Sequence, residues 1–202
     1  MKRILIGVAA MALVWASCLA QPTAAPATPP ALKIKPLAEK KIAELPAGPL
    51  YWRVENFAAL EQAQAAAGPT GLAVQAAGKV WLLTLGAKGG ATPGATPVAE
   101  VGPLPQVVAS QYLLRINEAT GAPGAVTSVH THPGSETFFV LAGETSSRSP
   151  HGVLRVPAGK AVTGLGADVP MQVSSSGAVD LHSLVMFVVD ATKPFSSPAH
   201  LP

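Results

Sequence analysis

The chain has 202 residues, with 14 Lys or Arg against 11 Asp or Glu, and its formal net charge is +3. Lys2 and Arg3 account for part of that charge: without them, 12 basic side chains balance 11 acidic ones, and no basic cluster is interleaved with aromatic residues. The basic pI is therefore no argument for nucleic-acid binding. A charged fraction of only 12%, with 19 Gly and 20 Pro, is typical of one compact β-rich domain.

The chain begins with the features of a secretory signal peptide, predicted over residues 1–20. A short positive start precedes an uncharged, mostly apolar run from Ile4 to Trp15, and small residues stand before a cleavage point after Ala20. The run is too short to span a membrane, and later apolar stretches are interrupted by Gly, Pro or charge. We therefore expect an exported protein, periplasmic or extracellular, with no transmembrane helix.

A second interpretation of this start involves Cys18. Residues 15–18, Trp-Ala-Ser-Cys, partly resemble a bacterial lipobox, although leucine is usual where Trp15 stands. Under that alternative the protein is lipid-anchored through Cys18. Under ordinary cleavage the remaining chain has no cysteine, which excludes disulfides, thiol catalysis and thiolate metal sites.

Residues 21–36 are rich in Pro, Ala and Thr and are predicted to form an extended tether. Residues 37–110 are assigned to an N-terminal arm with a helix and additional strands. Within them, residues 37–46 mix charges and indicate a short helical or irregular arm, and 56–67 predict a helix capped by Asn56. Strands are expected at 71–76 and 79–85, followed by a loop over 86–97.

Residues 111–198 are predicted to form a barrel of short strands separated by turns. The predicted strands are 111–117, 125–132, 137–142, 153–156, 170–174 and 181–189. The segment 185–189 is apolar on both faces, which favours a central position in a sheet. No internal repeat is present, so a single barrel is expected.

The most informative segment runs from Gly124 to Gly143 and contains His130, His132 and Glu136. Residues i and i+2 of a strand point to the same face, so the two imidazoles are expected at one spot. Pro133 and Gly134 then turn the chain and allow the glutamate to reach back. Two imidazoles and one carboxylate suit a divalent transition metal and leave coordination positions open.

This spacing resembles the first motif of the cupin superfamily: Gly, five residues, His-x-His, three or four residues, Glu, six residues, Gly. Every position matches. The resemblance implies an all-β, cupin-type double-stranded β-helix, or jelly-roll barrel, here with a short N-terminal helix and an extended N-terminal arm. It implies Fe, Mn, Ni, Cu or Zn at His130, His132 and Glu136. A homodimer is also a form that many cupins show.

The second cupin motif, which normally supplies a fourth ligand histidine, is altered. One register uses Pro157-Ala-Gly159 and places Val162 at the histidine position. The preferred register opens at Gly159, replaces Pro-x-Gly by residues 166–168 and places Met171 there. His182, on the last strand, and His151, in a turn, are the candidates for an additional ligand.

Two further side chains are predicted near the barrel pocket. Arg115 interrupts an apolar strand and, if it faces inward, could hold a carboxylate-bearing ligand; the alternative is an edge charge or a pair with Glu118. Phe138 and Phe139 should fall on opposite faces of their strand, and one of them should line the pocket.

These features predict an exported cupin-domain protein that binds a divalent metal and a small molecule in its pocket. One alternative is a metal-dependent enzyme of dioxygenase or isomerase type. Another is a metal-free cupin with a binding or structural role. Nucleic acid is not an expected partner. The fold alone does not choose among these functions, because it supports many chemistries.

Overall fold

The computed structural model describes residues 28–202. The predicted signal peptide, Cys18 and the first part of the predicted tether, residues 21–27, lie outside the described residues. Across residues 28–202, no helix has the length and apolar character needed to cross a membrane.

The described chain is built from fourteen strands and one short helix. In chain order they are β1 (Lys33–Ile42), β2 (Tyr51–Phe57), α1 (Leu60–Ala66), β3 (Gly71–Ala76), β4 (Lys79–Gly86), β5 (Thr96–Val101), β6 (Tyr112–Gly121), β7 (His130–Thr131), β8 (Gly134–Ala142), β9 (Glu144–Ser149), β10 (Gly152–Pro157), β11 (Ala161–Thr163), β12 (Gln172–Ser175), β13 (Leu181–Asp190) and β14 (Ser197–Pro198).

The barrel consists of two facing antiparallel sheets. One has the order β1-β6-β13-β8-β11 and the other β10-β9-β12. Consecutive strands alternate between them: β8 lies in the first, β9 and β10 in the second, β11 in the first, β12 in the second and β13 in the first. This winding is a double-stranded β-helix, so the predicted all-β jelly roll is confirmed.

Strand β13 is the centre of the five-stranded sheet, as its apolar sequence predicts. It pairs with β6 on one side and with β8 on the other. Its odd-numbered residues, such as Val185 and Phe187, pack inside the barrel. Its even-numbered residues, such as Leu184 and Met186, pack on the opposite face. A strand buried on both faces loses the hydrophobic alternation of a half-exposed one.

A second layer covers the outer face of the five-stranded sheet. It is a four-stranded sheet with the order β3-β4-β2-β5. Trp52 and Trp81 from this sheet pack in one core with Phe139 from β8, and the Trp81 and Phe139 ring centroids lie 5.5 Å apart. Helix α1 closes the far side of this layer through the buried Ala63. The five-stranded sheet is therefore covered on both faces.

The N-terminal predictions are wrong in one important respect. Residues 33–42, expected to be tether and then helical or irregular arm, form strand β1, which pairs with β6 at the edge of the barrel sheet. The tether is already ordered at Leu32, which is buried and whose amide donates to the carbonyl of Val126. Four lysines and Pro36 mark β1 as an edge strand, since such residues discourage pairing with another chain.

Other predicted boundaries shift. The helix begins at Leu60 rather than Asn56, because Asn56 belongs to β2, for which no strand was predicted. The strand expected at 125–132 is reduced to β7, with an isolated bridge at Val126. Strand β9 was also not predicted, because its Ser and Thr side chains obscure its burial in the sheet. The strands predicted at 71–76 and 79–85 are confirmed.

Gly134 should tolerate no side chain, because β8 lies very close to β13 at this point. A Cβ there would overlap the carbonyl oxygen of Val188 and lie 2.5 Å from Cα of Val189. We expect Gly134→Ala to lower the unfolding free energy by about 3 kcal/mol. Chemical denaturation of the variant and the wild type measures the difference.

Gly68→Ala is the matched control, since a Cβ there meets nothing within 4 Å. Equal stability of the Gly134 and Gly68 variants would contradict the close approach of β8 to β13.

Candidate functional site

A cavity of about 350 Å³ opens inside the barrel, on the inner face of the five-stranded sheet. Most of its wall is apolar and comes from strands β6, β8 and β13 together with the two ends of the described chain. The lining residues are Ala31, Leu32, Ile34, Asn117, Ala119, Val126, Thr127, Ser128, His130, His132, Glu136, Phe138, Val173, Val185, Phe187, Phe195 and Ser196. This size and character suit a small, largely apolar molecule.

His130 and His132 both line this cavity, at and just after β7, with ring centroids 4.9 Å apart. Each ring is fixed by a backbone carbonyl. Nδ1 of His130 donates to the oxygen of Ser128 at 2.8 Å, and Nδ1 of His132 donates to the oxygen of Phe195 at 2.7 Å. A carbonyl oxygen only accepts, so the proton lies on Nδ1 and Nε2 keeps its lone pair in the neutral ring.

His132 sits in an aromatic surrounding. Its ring centroid lies 4.9 Å from that of Phe187 and 4.7 Å from that of Phe195, and the residue is 4% exposed. Burial lowers the pKa of His132 to about 4; the hydrogen bond to Phe195 opposes this, and the charges of His130 and Arg115 add to it. The imidazole is therefore neutral at pH 7, the form that binds metals.

Glu136 is placed on the inner face of β8 and is 3% exposed. Its Oε2 atom is buried and has no hydrogen-bond partner among residues 28–202. Burial raises the pKa of this carboxyl to about 8. A buried carboxylate without a partner is costly, so this group either keeps its proton or requires a cation.

The donor set fits a divalent metal, because two imidazoles that keep Nε2 free and one buried carboxyl line the same cavity. Carbonyl acceptors on the opposite imidazole nitrogens are the usual outer support of metal-ligating histidines. The side chains do not, however, converge on one point: nowhere in residues 28–202 are three His, Cys, Asp or Glu side chains arranged so that they could hold one ion.

The other residues predicted for the pocket lie in different places. Phe138 lines the cavity, and Phe139 packs on the opposite face, as alternation predicts. Arg115 is beside the cavity but not on its wall. Its Nη1 lies 2.7 Å from Oε1 of Glu39, and its Nε donates to Oδ1 of Asn117 at 2.8 Å. It is thus paired with Glu39 rather than with Glu118.

Met171, placed at the fourth-ligand position by the altered motif, is wholly buried in the inner core. Its backbone exchanges both hydrogen bonds with His130, so the preferred register brings the two positions together, but its side chain is not part of the cavity wall. Val162, from the other register, pairs with Phe138 and is also absent from that wall.

The two additional histidine candidates are not brought to the cavity. His182 lies on the outer face of β13, where its Nε2 is 2.7 Å from Oε1 of Glu118. His151 is exposed in the turn between β9 and β10. Neither side chain lines the cavity that His130 and His132 line.

Asn117 and Phe195 are the two most informative site residues that the sequence does not predict. Asn117 shares the inward face of β6 with Arg115, and their spacing of two residues was available as a signal. Phe195, which follows Pro194 in an irregular segment, reaches His132 across 63 positions. The sequence offers no pattern that would have found it.

No protein-family model matches the chain, and no curated protein sequence matches it. Solved structures that resemble it include a cupin-like protein from Thermotoga maritima, at 16% identity and a TM-score of 0.39 over 44% of this chain and 65% of that one. A protein with a double-stranded β-helix domain from Klebsiella pneumoniae matches at 19% identity and a TM-score of 0.37. The match covers 43% of this chain and 75% of that one.

A DMSP lyase from Ruegeria pomeroyi also resembles the chain, at 22% identity and a TM-score of 0.37, over 43% of each chain. The chain thus spans less than two thirds of the Thermotoga protein and less than half of the lyase. The fold assignment rests on the strand order and register described above.

Proposed function

We propose that this chain is an exported cupin-type protein that binds a small, mostly apolar molecule next to a divalent metal held by His130, His132 and Glu136. The unpartnered Oε2 of Glu136 carries the proposal, because a buried carboxylate beside two imidazoles is most simply stabilised by a cation. The bound metal would act as a Lewis acid toward an oxygen-bearing ligand.

The chain's own residues supply the rest of the site. The carbonyl oxygens of Ser128 and Phe195 hold the two imidazoles by Nδ1 and leave Nε2 free to bind. Phe138, Val185 and Phe187 form an apolar floor that excludes water from the ligand's body. Because the three donors do not converge in the structure, metal binding as proposed includes a shift of the Glu136 carboxyl toward the two imidazoles, which keep their Nδ1 hydrogen bonds.

A second candidate is binding of a small molecule without metal. One respect favours it: with Glu136 protonated and His132 neutral near pH 7, neither of these two groups brings a charge to the cavity. A largely apolar cavity suits a neutral ligand. Export is part of both candidates and depends on the predicted signal peptide.

Elemental analysis tests whether the protein binds a metal ion. We expect the protein, purified without a polyhistidine tag and incubated with zinc, to retain close to one ion per chain and to melt several degrees higher than with chelator. His132→Ala should abolish both effects. His182→Ala is the matched control and should retain the metal, since His182 lies on the outer face of the sheet.

Retention of zinc by the His132 variant, or equal melting of the wild type with and without zinc, would contradict the metal site and favour the metal-free candidate.

A further inference from the structure

Asn117 has a buried polar group that the proposed function does not use. The residue lies on β6, is 3% exposed and forms part of the cavity wall. Within residues 28–202 its amide nitrogen makes no hydrogen bond to another residue, although its oxygen does. Nδ2 is not one of the wholly buried unpaired polar atoms of these residues, so it is accessible at the cavity, where it favours a ligand that accepts a hydrogen bond.

The orientation of this amide is set by Arg115. Nε of Arg115 can only donate, and it lies 2.8 Å from Oδ1 of Asn117, so the oxygen must face the arginine and the NH₂ group must face away from it. Reversing the amide would place its nitrogen against another donor. The direction of the Asn117 hydrogens therefore follows from chemistry.

Arg115 is itself held in place by two further groups. Its Nη1 lies 2.7 Å from Oε1 of Glu39 on the neighbouring strand β1. Its guanidinium carbon lies 4.0 Å from the ring centroid of Phe195. With one face stacked and two nitrogens paired, the guanidinium has little freedom to turn away from Asn117.

The register of the sheet places Asn117 apart from the metal-binding candidates. Asn117 pairs with Val185, and Val185 pairs with Phe138 on β8. Two strand spacings, about 10 Å, therefore separate Asn117 from the strand that carries Glu136. The wall between them is apolar, so a ligand reaching both ends needs an apolar or aromatic body between two polar groups.

We infer that Asn117 is a specificity-determining residue of the cavity and selects ligands with an apolar, often aromatic, body and a carbonyl-type oxygen that accepts from its NH₂ group. Arg115 acts as the positioning residue. This inference rests on the small-molecule cavity of the proposed function, and it does not depend on the metal.

Two probes of equal shape test the inference: acetophenone, which carries a carbonyl oxygen, and isopropenylbenzene, in which a CH₂ group replaces that oxygen. Each is titrated into the ¹⁵N-labelled protein and followed by NMR. We expect acetophenone to bind about fivefold more tightly, and the Asn117 side-chain NH₂ signals to shift only with acetophenone.

Asn117→Leu should make the two affinities equal. Asn117→Asp keeps the shape and the contact with Arg115 but removes the amide hydrogens, so it should also abolish the preference even if the leucine variant folds poorly. Ser196→Ala changes another polar residue of the same wall and is the matched control, which should keep the preference.

Arg115→Met tests the positioning role. Loss of the guanidinium frees the amide to rotate, so the ratio of the acetophenone affinity to the isopropenylbenzene affinity should fall toward one. Arg115→Lys, which keeps a donor, should restore part of the ratio. A purely structural role would lower the melting temperature and leave the ratio of the two affinities unchanged.

The inference is overturned by equal affinities in the wild type, by a preference that persists in both Asn117 variants, or by no binding of either probe at millimolar concentration. Titrations with chelator and with zinc separate it from the metal proposal. Zinc retention without a preference would leave the metal site standing, and a preference without zinc retention would leave the role of Asn117 standing.

Discussion

The metal-free protein should become less stable as the pH rises above neutrality, with its unfolding free energy falling by about 1 kcal/mol between pH 6.5 and pH 8. Burial raises the pKa of Glu136 from 4.5 to about 8, so between these values the folded protein keeps a proton that the unfolded chain has lost. Each such proton lowers stability by about 1.4 kcal/mol per pH unit.

His132 has the opposite effect at lower pH. Its pKa falls from 6.5 to about 4 on folding, so over that interval the unfolded chain binds a proton that the folded protein does not, and stability rises with pH. From pH 4.5 to 6.5 the two slopes offset each other, and above 6.5 only the Glu136 slope is left.

Glu136→Gln removes the falling slope. The variant should gain stability up to pH 6.5 and then level off, so that at pH 8 it is more stable than the metal-free wild type. Denaturation with chelator at half-unit intervals from pH 5 to 9 gives both curves. Glu144→Gln is the control: Ser176 and Arg155 hold the pKa of the half-buried Glu144 below its usual range, so this change should not alter the curve above pH 5.

A decline that persists in Glu136→Gln would show that another group sets the pH dependence and would remove the main argument for a cation at Glu136.

Ending the chain after Pro194 should weaken both the fold and the metal site. The change removes the Phe195 ring, which packs on His132 and Phe187, and the carbonyl oxygen that holds Nδ1 of His132. It also removes β14, which pairs with β7 at His130. We expect a loss of about 3 kcal/mol in unfolding free energy and a zinc affinity about 100-fold lower.

Two comparisons show which part of this segment acts. Ending the chain after Ala199 keeps β14 and Phe195 and should leave both quantities nearly unchanged. Phe195→Leu removes the ring but keeps the carbonyl oxygen, so it should lower the unfolding free energy and leave the zinc affinity nearly unchanged. Calorimetric zinc titrations of the three variants measure the affinity, and equal values for the full chain and the chain ending at Pro194 would rule out a supporting role for Phe195.

The sequence predicts the barrel and those residues of its cavity that depend on local patterns, namely His130, His132, Glu136 and Phe138. Two-residue spacing brings His130 and His132 to one cavity, and the apolar run 185–189 marks the central strand. Gly134, predicted to be part of a turn, instead begins β8 and lies too close to β13 for a side chain.

The sequence predicts less well where long-range contacts decide the structure. Strand β1 has the charges of a solvated segment, and it is stabilised by long-range contacts: pairing with β6, about 80 positions away, and packing of Leu37, Ala38 and Ile42 against the core. Arg115 is paired with Glu39 on β1, and His132 donates to the carbonyl oxygen of Phe195. No local sequence pattern connects either residue to its partner. The role inferred for Asn117 depends on its contact with Arg115 and on its place in the barrel cavity, so the structure is needed to recognise it.

X-ray absorption spectroscopy of the zinc-loaded protein shows directly whether His130, His132 and Glu136 bind one metal ion together. We expect two imidazole nitrogens at about 2.0 Å with the remaining ligands oxygen, and one imidazole fewer in His130→Ala. A zinc spectrum with no imidazole, or one that His130→Ala leaves unchanged, would contradict such joint binding.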